Sequence, residues 1–269
     1  MEAGLFDSSI GLIIQARMSS TRLPGKVLMP LPFASETTLL GKIVGALKTT
    51  GGTVIVATST NKENDIIEQF CEKKGVKCFR GAEDDVFSRF HDIQLKESFS
   101  TIFRFTADNP FIDLEKLYEF YNIFIGSGMD YAYSKGMPLG MNFEAVKAEL
   151  FLKLNKLELT SEEREHVTLV VQRFESINKI SIQLANSADL RMTVDTPIDY
   201  AQASLLMSSL NDNCSLFNIL ELKDLNPWIF ELNRGVVQTN TSDNREAQVA
   251  AIMKICAENG YNKVIELLK

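Results

Sequence analysis

The chain has 269 residues, 45% of them apolar and 23% charged, with 15 Gly and 7 Pro; that is a globular composition and not a disordered, collagen-like or repeat one. Its 28 basic side chains against 35 acidic ones leave a formal charge of −7, which excludes the basic face expected of a duplex-binding protein, so no nucleic-acid partner is expected. No window approaches the ~18 uninterrupted apolar residues of a membrane span, and Met1 to Asp7 lacks the basic start and apolar run of a secretory leader, so a cytoplasmic protein without a membrane partner is expected.

Ile10 to Ile14 reads as a buried strand. After a basic loop, Thr53 to Thr58 and Val76 to Phe79 read as two more strands, and Thr101 to Thr106 as a fourth. Between them, Asn64 to Lys74 places Ile66, Ile67, Phe70 and Cys71 on one helical face, with Gly75 as its stop. Asp84 to Phe99 and Asp113 to Phe124 repeat the helical period. Near-continuous apolar strands alternating with helices predict an α/β fold with a mostly parallel sheet covered on both faces. Beyond Gly128 the rhythm loosens: Met129 to Ser134, Asn142 to Val146, Ile180 to Ala185 and Leu190 to Val194 read as strands, with a helix at Glu162 to Phe174. From Leu216 helical segments take over, ending in Glu246 to Lys269. The expected organisation is one core domain, 1–215, with a helical tail, 216–269, packed on that domain or at a subunit interface.

The loop Gln15-Ala16-Arg17-Met18-Ser19-Ser20-Thr21-Arg22-Leu23-Pro24-Gly25-Lys26 leaves the carboxyl end of the first strand, where open α/β sheets place ligands. No acidic residue occurs between Ser8 and Ser35, so Arg17, Arg22 and Lys26 make this segment locally positive. Its small residues let backbone amides approach an anion. It matches neither the Walker P-loop nor the dinucleotide fingerprint; a solvated connecting loop is the plain alternative.

Two later segments end an apolar strand in Asp followed quickly by Pro: Arg104 to Asp113 (RFTADNPFID) and Leu190 to Asp199 (LRMTVDTPID). Asp113 and Asp199 sit where a helix should begin and read as N-caps. Asp108 and Asp195 lie nearer their strands, and magnesium often takes only one or two protein carboxylates. Cys71, Cys78, Cys214 and Cys256 form no C-x-x-C pair, which leaves no expectation of zinc or disulfides. Arg80, in Phe79 to Phe90, either offers its planar donors to a pyrimidine or phosphate or pairs with Glu83 or Asp84. Arg89 reads as a helical partner of Asp85.

The run IIQARMSSTRLPGKVL resembles the N-terminal signature of the cytidylyltransferase superfamily, which includes the CMP-sialate and CMP-Kdo synthetases, and most of all its spore-coat polysaccharide biosynthesis branch. R-x-x-x-D-x-P at Arg104 to Pro110, V-D-T-P at Val194 to Pro197 and R-G-x-x-x-D-V-x-x-R at Arg80 to Arg89 resemble further family elements. Pro138 to Glu144 resembles a segment that usually reads G-x-D-x-E, with Asn142 in place of Asp, and Glu163 to Thr168 resembles the family's S-E-R-E-H-V-T helix.

The resemblance implies a Rossmann-like, GT-A-like nucleotidyltransferase domain that transfers CMP from CTP to a sugar, sugar phosphate or related phosphate, with loss of pyrophosphate. It implies nucleotide contacts from Ala16, Arg17, Ser19, Arg22, Lys26 and Arg80, a catalytic role for Arg17, Lys26 and Asp108, and Mg2+ on Asp108 and Asp195. Asn142, Glu144, Arg164 and His166 fall at acceptor positions, Arg164 and His166 equally at a subunit interface; a homodimer is common in the superfamily. The rival readings are a GT-A-type glycosyltransferase, against which stands the lack of any D-x-D, and a non-catalytic nucleotide-binding homologue, against which stands the presence of both aspartates.

Overall fold

A computed structural model describes residues 5–236 of the chain. The unit Met1–Leu232 contains every element named below; the second unit, Asn233–Lys269, is described only through residue 236. The helix expected at Glu246 to Lys269 lies outside the described residues, whereas the helical segments from Leu216 to Glu231 belong to the first unit.

Among the described residues one sheet holds seven strands: β1 (Ile10–Gln15), β2 (Thr53–Ser59), β3 (Lys77–Gly81), β4 (Thr101–Thr106), β5 (Tyr131–Lys135), β6 (Glu144–Lys147) and β7 (Lys179–Gln183), in the spatial order β3-β2-β1-β4-β6-β5-β7. β1 lies parallel between β2 and β4, and β6 runs antiparallel to both β4 and β5. The sheet is therefore mixed and mostly parallel, as the unbroken apolar run of β1 requires: Leu12 and Ile14 face one core and Ile13 the other.

Ten α-helices among the described residues flank it: α1 (Leu39–Lys48), α2 (Asp65–Lys74), α3 (Val86–Glu97), α4 (Leu114–Ser127), α5 (Glu149–Leu154), α6 (Ser161–Glu165), α7 (Leu169–Arg173), α8 (Pro197–Leu210), α9 (Leu216–Leu225) and α10 (Pro227–Glu231). The apolar sides of α1, α2, α4, α8, α9 and α10 pack on the face of Leu12, and those of α3, α5 and α7 on the face of Ile13. Side chains fix several starts. Asp113 caps α4 through the Lys116 amide (2.9 Å), and its second oxygen accepts the Leu216 amide that opens α9 (2.7 Å), so one buried carboxylate satisfies two helix ends.

Four expectations are corrected. Ile66 is 49% exposed, because the buried stripe of α2 runs through Ile67 and Cys71. The helix expected over Glu162 to Phe174 is two short helices, broken where Val167 takes a left-handed φ of 47°. Asp199 is not an N-cap: Thr196 caps α8, and Asp199 returns a hydrogen bond from the third helical position. Leu190 to Val194 is extended but forms no sheet strand, meeting Leu139 in a single bridge. The partner segment explains this: left-handed turns at Gly136 and Gly140 flank Leu139, leaving it one residue with which to pair. At Gly140 the backbones nearly touch, since a Cβ there would lie 2.6 Å from the Thr193 nitrogen.

Candidate active site

The loop after β1 closes on itself. The Met18 carbonyl accepts the amides of Ser20 (2.9 Å) and Gly25 (3.0 Å), and the Met18 amide donates to the side-chain oxygen of buried Asn64 (2.8 Å). Gly25 carries the left-handed φ of 72° that turns the chain into a 3-10 turn at Lys26–Leu28, which Val27 anchors in the core. The amides of Arg17, Ser19, Thr21 and Arg22 donate to no acceptor among the described residues. Unspent amides beside cationic side chains suit an anion.

Lys26 points inward. Its ammonium donates to Asp108 Oδ2 (3.0 Å), Asp195 Oδ1 (2.9 Å) and the Val194 carbonyl (2.8 Å). The two aspartates, far apart in sequence, are thus brought to one cation. A backbone bond from the Val194 amide to the Asp108 carbonyl (2.8 Å) ties their segments together. Arg22 reaches Asp195 Oδ1 (3.1 Å), and Arg191 reaches Asp195 Oδ2 (3.0 Å) while gripping Asp199 with two nitrogens. Burial pushes the Asp108 carboxyl pKa up, but the Lys26 ammonium and the Thr106 hydroxyl outweigh it and hold the group below its ordinary value. Asn109 donates to Thr106, and its Oδ1 is buried without a protein partner among the described residues.

The donors around Lys26 are hard oxygens that suit a magnesium-like ion, and the ammonium among them is a cation already in that setting. No cluster of three or more His, Cys, Asp or Glu forms a metal site among the described residues, so phosphates and water would complete any such coordination.

The other expected residues divide. Arg17 is half exposed and reaches Glu83 at 3.9 Å; Ser19 also donates to Glu83 (3.1 Å). Both therefore meet Glu83, in the loop after β3. Ala16 is buried, and its amide is spent on the Ala57 carbonyl (3.1 Å). Arg80 pairs with neither Glu83 nor Asp84: its guanidinium binds Asp65 (2.6 Å), Glu68 (2.7 Å) and the carbonyls of Ser59 and Asn61, so it fastens β3 to α2. Arg89 does not pair with Asp85; buried, it holds the carbonyls of Ala82 and Glu83, both at 2.7 Å, and so shapes the loop after β3.

At the expected acceptor positions, Glu144 accepts from Arg104 (2.8 Å), Tyr131 (2.7 Å) and Thr168 (3.1 Å). Burial pushes its carboxyl up, and the Arg104 guanidinium with the Tyr131 hydroxyl brings it below the ordinary range. Arg164 pairs with Asp85, the cap of α3, at 2.5 Å. His166 ends α6, and its ring makes no hydrogen bond among the described residues. Asn142 is exposed, with no side-chain partner among them. Two residues of the site carry no expectation from the sequence: Arg191, although Arg191, Asp195 and Asp199 recur every four residues, and Asn64, whose role in the loop leaves no local signal.

A parallel-centred α/β sheet with a cationic, amide-lined loop and two aspartates paired on one ammonium, Asp108 just past the carboxyl end of β4 and Asp195 just past the segment 190–194, defines a nucleotidyltransferase-type domain. The chain belongs to the cytidylyltransferase family, whose sequence profile matches residues 12–231. It is 33% identical over 233 residues to the spore coat polysaccharide biosynthesis protein SpsF of Bacillus subtilis, covering 82% of this chain and 96% of that one. Among solved structures it is similar to a cytidylyltransferase from Leptospira borgpetersenii, with a TM-score of 0.77 and 28% identity over 87% of this chain and 100% of that one. It shares its fold with a CMP:2-keto-3-deoxy-manno-octonic acid synthetase complexed with CTP, at a TM-score of 0.57 and 16% identity over 75% and 99% of the two chains. No helix among the described residues is long and apolar enough to cross a membrane.

Proposed function

We propose that the chain transfers the cytidylyl group of CTP to an oxygen of a sugar, sugar acid or sugar phosphate, in the cytoplasm, for assembly of a surface polysaccharide. The acceptor oxygen forms a bond to the α-phosphorus, the bond from that phosphorus to the β-phosphate bridge breaks, and pyrophosphate leaves. The observation that carries this reading is the Lys26 ammonium shared by Asp108 and Asp195 beside the amide-rich loop. Arg17, Arg22 and the amides of residues 17, 19, 21 and 22 bind the triphosphate oxygens, while Ala16 and Ser19 line the nucleotide side. Such transfers need positioning and charge compensation more than covalent help.

Asp108 and Asp195 would hold a divalent cation, Mg2+ in this reading, which when bound supplies neutralisation of phosphate charge. Glu144, held by Arg104 and Tyr131, orients the acceptor side together with Asn142, Arg164 and His166. The relationship to the Bacillus subtilis protein supports the polysaccharide role.

A pyrophosphate-release screen tests the reading. The four common nucleoside triphosphates are paired with sugars, sugar acids, sugar phosphates and polyol phosphates, with and without magnesium. Release is expected with CTP, magnesium and one acceptor class; release with none of the CTP pairs sinks the proposal.

A further inference from the structure

The ammonium of Lys26 occupies the place between two carboxylates where a cation is wanted. Three oxygens lie 2.8 to 3.0 Å from it, which spends all three of its donors, and the side chain is only 9% exposed. Ion pairs join Lys26, Arg22 and Arg191 to Asp108, Asp195 and Asp199, three cations against three carboxylates. A divalent ion entering this largely buried cluster meets an ammonium already seated between the two carboxylates, and that repulsion opposes its entry.

Entry becomes favourable once the ammonium is elsewhere. The backbone of Lys26 is set by the left-handed Gly25 and the buried Val27, so moving the ammonium requires a change of rotamer in its four-carbon stem. The cationic, amide-lined loop that precedes it is the adjoining site for an anion.

We propose that Lys26 is an internal counter-cation: it keeps the Asp108–Asp195 pair closed to a divalent metal until a nucleoside triphosphate on the loop draws its ammonium away, which makes metal binding conditional on nucleotide. The nucleotide half rests on the triphosphate reading above; the blocking half does not.

The full chain and its Lys26→Met and Lys26→Arg variants are titrated with Mn2+ alone, free Mn2+ being followed by electron paramagnetic resonance. Lys26→Met is expected to bind on the order of tenfold or more tighter than the parent, to lose that binding when Asp108→Asn is added, and to differ from Lys26→Arg, which stays as weak as the parent. Equal affinity in parent and Lys26→Met overturns the proposal. Should Lys26→Met be too unstable to titrate, its melting temperature carries the test: Mn2+ must raise it and leave the parent unmoved, and no rise overturns the proposal. No nucleotide is present in these arms, so failure of the CTP reading shows separately, in the pyrophosphate screen.

Discussion

Asp108 and Lys26 sit on opposite sides of one ion pair, yet their removal has different consequences. Without Asp108, the ammonium keeps Asp195 and the Val194 carbonyl, so the fold survives while the proposed cation-binding pair is halved. Asp108→Ala is expected to abolish CTP-dependent pyrophosphate release with an unchanged circular dichroism spectrum; release at the parent rate refutes the assignment. Lys26 is another matter, since its loss leaves Asp108 and Asp195 facing each other in a mostly buried site, and breaking such a pair is far costlier than losing a surface one. Arg80 separates an expected role from an observed one. Its guanidinium is bound to Asp65 and Glu68, so Arg80→Ala is expected to lower the melting temperature by a few degrees while leaving the apparent affinity for CTP within about twofold. A large loss of CTP affinity in a stable Arg80→Ala protein would return Arg80 to the nucleotide site.

At the scale of elements, the aspartate pair depends on a contact that belongs to no sheet. Leu139 bridges Arg191, and Val194 then bonds Asp108, so the extended segment 190–194 is hung from two loops. Gly140 makes the first of these approaches feasible, through its left-handed φ of 94° and the absence of a Cβ 2.6 Å from Thr193. Gly140→Ala is therefore expected to cost about 1–3 kcal/mol, read by urea unfolding, and to lower turnover more than an equally destabilising core change, because it shifts the segment that carries Asp195. Unchanged stability would mean that the close approach is not maintained in solution. The break between α6 and α7 is a comparable case. The periodicity from Glu162 to Phe174 is continuous, but the left-handed Val167, fully buried, turns the chain so that Thr168 reaches Glu144.

At the scale of the whole molecule, the carboxylates with perturbed titration among the described residues point one way. Asp108, Glu144 and Asp130 all have pKa values below their ordinary range: burial opposes the shift in the first two, where Lys26 and Arg104 prevail, and Lys147 leads it in Asp130. A carboxylate with a depressed folded pKa contributes stability that is fully present above its unfolded pKa and is lost as pH falls through the folded value, because the unfolded chain then binds more protons. The melting temperature is expected to be flat above about pH 5 and to fall steeply below about pH 4. A flat profile down to pH 3 would show that these pairs add nothing to the folded state.

The alternation of apolar strands and helices in the sequence determined the layered α/β architecture, since a strand buried on both faces must be apolar throughout and a helix must keep its stripe. It also determined the basic loop, whose charge and small residues are consecutive in the chain. The family likeness of the motifs pointed to Asp108 and Asp195, but their meeting at one ammonium was settled by tertiary structure. So were the partners of Arg80 and Arg89, the place of Arg191, and the failure of Leu190 to Val194 to join the sheet. The reason is physical: periodicity and local propensity act over a few residues, whereas Lys26 lies 82 residues from Asp108 and 169 from Asp195, and only the packed sheet brings such groups within reach of one another.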